Sequence, residues 1–298
     1  MTQDRAPNGS PPPTLETYLW SLAPSVCNLR LFKDVRTHVL FIGHGRSGSS
    51  LVGSLLNAHR HALISHELNE LHFIKRRFTG PQLNWLLYFQ ERAFAQSGRA
   101  WTGYDYRVEG QWQGRCERLL VIGDKHAGGA TRLLGQRPEL LAQLRRTVRV
   151  PVKLVHVVRH PLDNIATLHR RQDLSLEAAA RLYFEHAATN ERLIRQNSND
   201  VLTVHLEDVI ALPRPELKRL CKFLDLDAPA DYLQDCASAL FAEPRRTRDQ
   251  VNWSDQLVTD VLRQCRRLPF LHRYREEIAF FAQRSPASSQ PMTLRRAA

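Results

Sequence analysis

Apolar and polar positions along this chain follow two different periods. Short, nearly continuous apolar runs mark buried strands at residues 39–42, 119–122, 152–158 and 201–205. Between them, apolar residues three and four apart predict helices over 47–59, 81–96, 161–171, 175–195, 213–224 and 254–265. Pro81, Pro161 and Pro213 open three of these, where proline's fixed φ suits the first turn. A further helix over 14–31 is expected on the outside of the core. Strands separated by helices predict an α/β fold with a central, mainly parallel sheet flanked by helices. One domain is expected over 37–283, after an N-terminal extension (1–36) and before a basic tail (284–298). The first dozen and last fifteen residues have the Pro- and Ser-rich composition of disordered segments. Ligands in such folds sit outside the carboxyl ends of the strands, so the residues leaving each apolar run are the first candidates for chemistry.

Gly43-His44-Gly45-Arg46-Ser47-Gly48-Ser49-Ser50 leaves the first run and enters a helix. Glycines let the backbone curl around an anion, and the helix start points free N–H groups at it. The spacing is that of a phosphate loop, but Ser49 stands where a nucleotidase carries lysine. The cation is displaced to Arg46, inside the loop, while Ser47, Ser49 and Ser50 add hydroxyls. A second block, Arg159-His160-Pro161 through Thr167, leaves the strongest strand and enters another helix. An arginine at the strand end and a hydroxyl two turns on suit a monoester phosphate. Read alone, Arg159 is equally at home in a surface ion pair.

Together the two blocks resemble those of the 3′-phosphoadenosine 5′-phosphosulfate (PAPS)-dependent sulfotransferases, whose fold is P-loop-like and three-layered. In that family the first loop holds the 5′-phosphosulfate and the second block the 3′-phosphate. The resemblance therefore implies PAPS as donor, PAP as product and no metal requirement. It carries the cofactor-binding role onto Arg46, Ser47, Gly48, Ser49, Ser50, Arg159 and Thr167. His205-Leu206-Glu207-Asp208 is similar to a third family segment, with Leu206 in place of its usual aromatic. The basic run Arg245-Arg246-Thr247-Arg248 stands where related enzymes close a loop over the 3′-phosphate, which makes Arg245 and Arg248 candidates. The family's glycine-rich version is absent, and a solvated basic loop is the competing reading.

Sulfuryl transfer needs a base for the acceptor hydroxyl and cations for the oxygens that gain charge. Ser65-His66-Glu67 supplies two candidate bases. Histidine has the better unperturbed pKa at neutral pH, whereas glutamate needs burial to raise its own. Ungapped matching from Arg46 resembles the bacterial and protein-tyrosine sulfotransferase branch, in which the residue at Glu67 is the base; His66 stays as the rival. Lys125, in Gly123-Asp124-Lys125-His126 at the end of the second run, resembles the family lysine that contacts the transferring group, with Asp124 to orient it. The catalytic candidates are thus Glu67, Lys125, Arg46 and His66.

Lys and Arg number 42 against 30 Asp and Glu, a net charge of +12 that favours anionic partners. No nucleic-acid motif accompanies it, so nucleic acid is not expected, while weak contact with anionic membranes and a homodimer are both compatible with it. Five scattered cysteines without a C-x-x-C pair argue against a disulfide framework or a zinc site. No apolar run approaches the roughly 18 residues of a membrane span. Taken with the resemblance, these readings imply a bacterial cytoplasmic enzyme acting on a hydroxyl of a glycan, lipid or small molecule. The acceptor pocket is expected within 68–115, where Phe73, Trp85, Tyr88, Trp101, Tyr104 and Trp112 are available. The alternatives are a P-loop kinase or nucleotidase using ATP and magnesium, and a non-catalytic polyanion-binding protein.

Overall fold

In chain order the computed structural model contains α1 (Leu15–Cys27), β1 (Thr37–Gly43), α2 (Ser49–Asn57), β2 (Ala62–His66), α3 (Glu70–Lys75) and α4 (Gly80–Gln96). A small hairpin, β3 (Ala100–Trp101) and β4 (Tyr104–Asp105), precedes β5 (Val121–Lys125), α5 (Ala127–Gln136), α6 (Glu139–Val148) and β6 (Val152–Val158). There follow α7 (Pro161–Gln172), α8 (Leu176–Gln196), β7 (Val201–His205), α9 (Leu206–Ala211), α10 (Pro213–Phe223), α11 (Ala230–Ser238), α12 (Asp255–Cys265) and α13 (Arg275–Arg284). The structure describes residues 10–240 and 243–284, so the expectations for the first nine and the last fourteen positions lie outside the described residues.

The chain divides into two compact units, one of residues up to 159 with 189–244, the other of 160–188 with 245 onward. The first holds a five-stranded sheet in the order β2-β5-β1-β6-β7, every pair parallel. Parallel strands covered on both faces need apolar residues at every position rather than at alternate ones. β1 is accordingly buried along its whole length. Val39 and Phe41 pack with Leu55 of α2, Leu217 of α10 and Leu233 of α11. Leu40 and Ile42 pack on the opposite face with Leu86 of α4, Leu133 of α5 and Leu144 of α6. The predicted α/β fold with a parallel sheet between helical layers is therefore the one observed.

β5 extends past the run expected at 119–122, and β2 lies outside the four expected strands. β2 includes Ser65 and His66, and β5 includes Gly123, Asp124 and Lys125, because parallel pairing with a neighbour continues to both ends, up to His66 opposite Lys125. The short helices α3, α5, α6, α11 and α13 and the β3–β4 hairpin were not anticipated. All five cysteines are free. Among the described residues no helix is long and apolar enough to cross a membrane.

The second unit is helical, formed by α7, the first part of α8, a 3₁₀ turn at Thr247–Gln250, α12 and α13. Asp163 organises it. Its carbonyl accepts from Thr167 Oγ1 at 2.8 Å and Thr247 Oγ1 at 2.7 Å, and its carboxylate accepts from the Arg248 backbone N–H at 2.8 Å.

Candidate active site

The loop after β1 is shaped by two left-handed residues, Arg46 at φ 68° and Gly48 at φ 91°. Gly48 is required there for a second reason. A Cβ on it would lie 2.5 Å from Cδ1 of Leu206, the residue that stands where the resemblance has an aromatic. Alternation of handedness turns successive N–H groups toward one point, and α2 begins at Ser49 directly beyond. Ser47 is wholly buried and its Oγ has no hydrogen-bond partner among the described residues. A buried hydroxyl without a partner costs about 1–3 kcal/mol, and an oxyanion seated in the loop would supply the acceptor. Ser49 is buried and Ser50 half-buried at the helix start. Arg159, directly after β6, donates from NH1 to the backbone carbonyl of Arg46 at 3.4 Å, which brings its side chain to the loop.

The neighbouring strand ends carry the candidate chemistry. Lys125 closes β5 with its side chain 2% exposed. Its Nζ donates to Glu67 Oε1 at 2.7 Å and to Ser50 Oγ at 2.8 Å. The slot for its stem exists because residue 53 of α2 is glycine: a Cβ there would lie 2.8 Å from Lys125 Cγ. Glu67 follows β2 in a left-handed conformation (φ 60°), with its side chain 19% exposed. Burial alone would raise its pKa, but Lys125, with His126 and Arg46, outweighs burial and holds the carboxyl below the ordinary carboxylate range. Burial draws the Lys125 ammonium down, against the carboxylates of Glu67, Asp124 and Glu91.

The role expected of Asp124 is different in the structure. Its carboxylate accepts backbone N–H groups of Leu68 (3.0 Å), Asn69 (2.8 Å) and Glu70 (3.1 Å), so it fixes the turn that carries Glu67 rather than orienting Lys125. Burial and the adjacent Glu70 push it up to about 8, against the donors that favour the anion. Ser10 supports the same turn from outside, donating to the Glu67 carbonyl at 3.1 Å.

His66 ends β2 inside an aromatic cluster. Its ring stacks on Phe94 (centroids 3.9 Å, 10° between planes), with Trp101 edge-on at 5.6 Å. Burial, then the charges of Lys125, Arg99 and His126, push the imidazole down to about 2. A group so hard to protonate is a poor proton acceptor, which weighs against His66 as the base. Behind the cluster, Glu91 of α4 is fully buried and pairs with Arg99, and Asn57 Nδ2 donates to it at 2.5 Å. Burial pushes Glu91 up to about 6, with Arg99 and Asn57 opposing.

The remaining candidates lie in the second unit. The Thr167 hydroxyl is 3.0 Å from that of Thr247 as well as bonded within its own helix. Arg245 is exposed. Arg248 is only 4% exposed and pairs with Glu277 at 2.6 Å and Asp163 at 3.7 Å, so at this position the solvated-loop reading fails. Of the aromatics considered for an acceptor pocket, Phe73 is core, while Trp101 and Tyr104 are half-buried on the hairpin.

Sequence reasoning missed three contributors here: Gly53, the Glu91–Arg99 pair, and Tyr106. The Tyr106 phenol is pushed up by burial and has Thr102, Arg46 and Ser50 as neighbours. Only Glu91 carried a signal, as a charge on the apolar face of an otherwise amphipathic helix. Among the described residues no group of three or more His, Cys, Asp or Glu is arranged to hold a metal ion.

No curated protein matches the sequence. Solved structures similar to the chain include the sulfotransferase domain from the curacin biosynthetic pathway, at 15% identity and TM-score 0.49, covering 79% of this chain and 99% of that one. A second is the sulfotransferase domain of the Synechococcus olefin synthase, at 17% and 0.43, covering 75% and 83%. A third, a Mycobacterium avium sulfotransferase, stands at 10% and 0.46, covering 82% and 80%. The sequence profile described as "Sulfotransferase family" matches residues 39–230, from the first core strand to the start of α11. That match takes in the phosphate loop, Glu67, Lys125 and Arg159 and spans well over half of the chain, which belongs to the sulfotransferase family.

Proposed function

We propose that the chain transfers a sulfuryl group from PAPS to a hydroxyl of a glycan, lipid or small-molecule acceptor, with Glu67 as the base. The observation that carries this reading is the Glu67–Lys125–Ser50 contact beside a phosphate-type loop. Bound PAPS supplies an activated sulfuryl group, which the acceptor oxygen takes in line as the bond to the bisphosphate breaks. The chain's own residues do the rest. Glu67 keeps Oε1 on Lys125 and has Oε2 to receive the acceptor proton. Lys125, held by Ser50 and Glu67, places a cation within a few ångströms of the loop, where negative charge must be met. Ser47, Ser49, Ser50 and the backbone of the loop provide donors for the 5′ end, with Arg46 beside them. Arg159 is assigned to the 3′-phosphate, and Thr167 joins it on the strength of the sequence spacing.

Calorimetric titration with adenosine 3′,5′-bisphosphate tests the donor directly, run beside ATP–magnesium and an Arg159→Ala variant. The expected result is tight binding of the bisphosphate, weak binding of ATP, and loss of about 10- to 150-fold on removing Arg159, the effect of deleting a charge-assisted contact of about 1.5–3 kcal/mol. No binding of the bisphosphate, or a preference for ATP–magnesium, overturns the proposal.

A further inference from the structure

The amphipathicity of α1 is inverted. It turns Thr17, Ser21 and Ser25 inward, and puts Leu15 (74% exposed), Leu19 (59%), Leu22 (38%) and Val26 (63%) into solvent. Leu29 continues the line from the following turn at 48%. The orientation is fixed from beneath: Gln82 of α4 donates to the Tyr18 carbonyl at 2.9 Å and to Ser21 Oγ at 3.0 Å. Rotating the leucines inward would break these bonds. At the flank, Trp20 meets Phe89 of α4 edge-on at 5.0 Å, and both rings remain about two-fifths exposed.

We propose that this face is the interface of a homodimer in which α1 packs against α1 of a second copy. The steps between the four seam residues within α1 are four, three and four, the alternation that sets knobs into the holes of another helix with the same spacing. Each copy offers that surface once, so a two-fold axis satisfies both. Seven large apolar side chains, on average half exposed, offer on the order of several hundred Å² per copy, the scale of the roughly 800 Å² per partner of a standard interface. Charge argues against a lipid surface as the occupant. A helix lying on anionic lipid carries Lys and Arg along its flanks, and α1 has none, although the chain has 42; its one charged residue is Glu16. The same absence leaves nothing along the seam to repel a second copy.

The test is sedimentation velocity of the full chain between about 1 and 100 µM, a range that reads Kd values typical of moderate interfaces. Wild type is compared with Leu19→Glu/Val26→Glu and with Leu212→Glu, a control at an exposed leucine (58%) that is not part of the seam. The expected result is a wild-type dimer, retained by Leu212→Glu, and a monomer for the double variant at the same urea midpoint, with Kd raised at least 100-fold. Three results overturn the proposal: a monomeric wild type across the range, a double variant that still dimerises, or a monomer that sediments with phosphatidylserine vesicles.

Discussion

Replacing Lys125 by Met keeps most of the stem that fills the slot beside Gly53 and deletes the ammonium that Glu67 leans on. Burial is the largest influence on Glu67 and favours its neutral form; Lys125 is the first of the groups that reverse it. A charge-assisted hydrogen bond contributes about 1.5–3 kcal/mol, and a pH unit corresponds to about 1.4 kcal/mol, so losing the bond is worth one to two pH units. The base acts as the anion. Its depressed pKa in the wild type places the acid limb of the kcat/KM profile below the ordinary carboxylate range. In Lys125→Met burial prevails and the limb moves toward neutral pH by that amount. The plateau also falls, by about 100- to 1,000-fold for a lost electrostatic stabiliser. The assay is the pH dependence of kcat/KM with an alcohol acceptor that the wild type sulfates. A lowered plateau with an unmoved acid limb would refute the reasoning, since the limb would then belong to a group that does not feel Lys125.

Three further expectations rest on the same region. His66→Phe preserves the stack on Phe94 and removes both ring nitrogens; kcat should fall less than about 10-fold, far short of the 10²–10⁴ that a general base contributes, with the pH profile unchanged. Gly53→Ala gains about 1 kcal/mol of helix propensity, yet its methyl meets Lys125 Cγ at 2.8 Å. Overpacking of about 1–3 kcal/mol should cancel or exceed the gain, so the urea midpoint stays level or drops while kcat falls. Asp124 titrates at about 8 in the fold against an ordinary 3.8. An acid with a raised folded pKa gives stability that is complete below the unfolded value and lost as pH rises through the folded one. The destabilisation caused by Asp124→Asn should therefore shrink between about pH 4 and 8, read as converging unfolding free energies in urea.

What was legible in the sequence is what short range encodes. β1 with its glycine loop, and β6 with Arg159, are each a buried apolar run meeting a turn, and their patterns survive because both faces of the sheet are covered. Glu67 and Lys125 were found as residues leaving strands, and the parallel register of β2 and β5 brings them into contact across 58 positions. Asp124 was misread because its partners are backbone N–H groups more than fifty residues away, which no side-chain pattern records. Gly53 left no trace either, since a glycine within a helix says nothing of which side chain needs the space. α5 begins Ala127-Gly128-Gly129, a poor helix start by propensity, and forms through packing against β1 instead. α1 was placed correctly from its spacing, but spacing alone does not say which face turns inward, and here hydrogen bonds to Gln82 decided it.

The strand order carries a consequence for how the protein is made. β1 pairs with β5 on one side and β6 on the other, and β2 pairs only with β5. A nascent chain that has reached residue 115 thus contains the phosphate loop and Glu67 on two strands that never bond to each other. Both keep open edges until translation delivers β5 into the gap between them, a non-local step of the kind that is slow and exposed to aggregation. The same insertion brings Lys125 to Glu67 and Ser50. Bridging of β1 to β2 and formation of the Lys125–Glu67 pair therefore depend on the same strand.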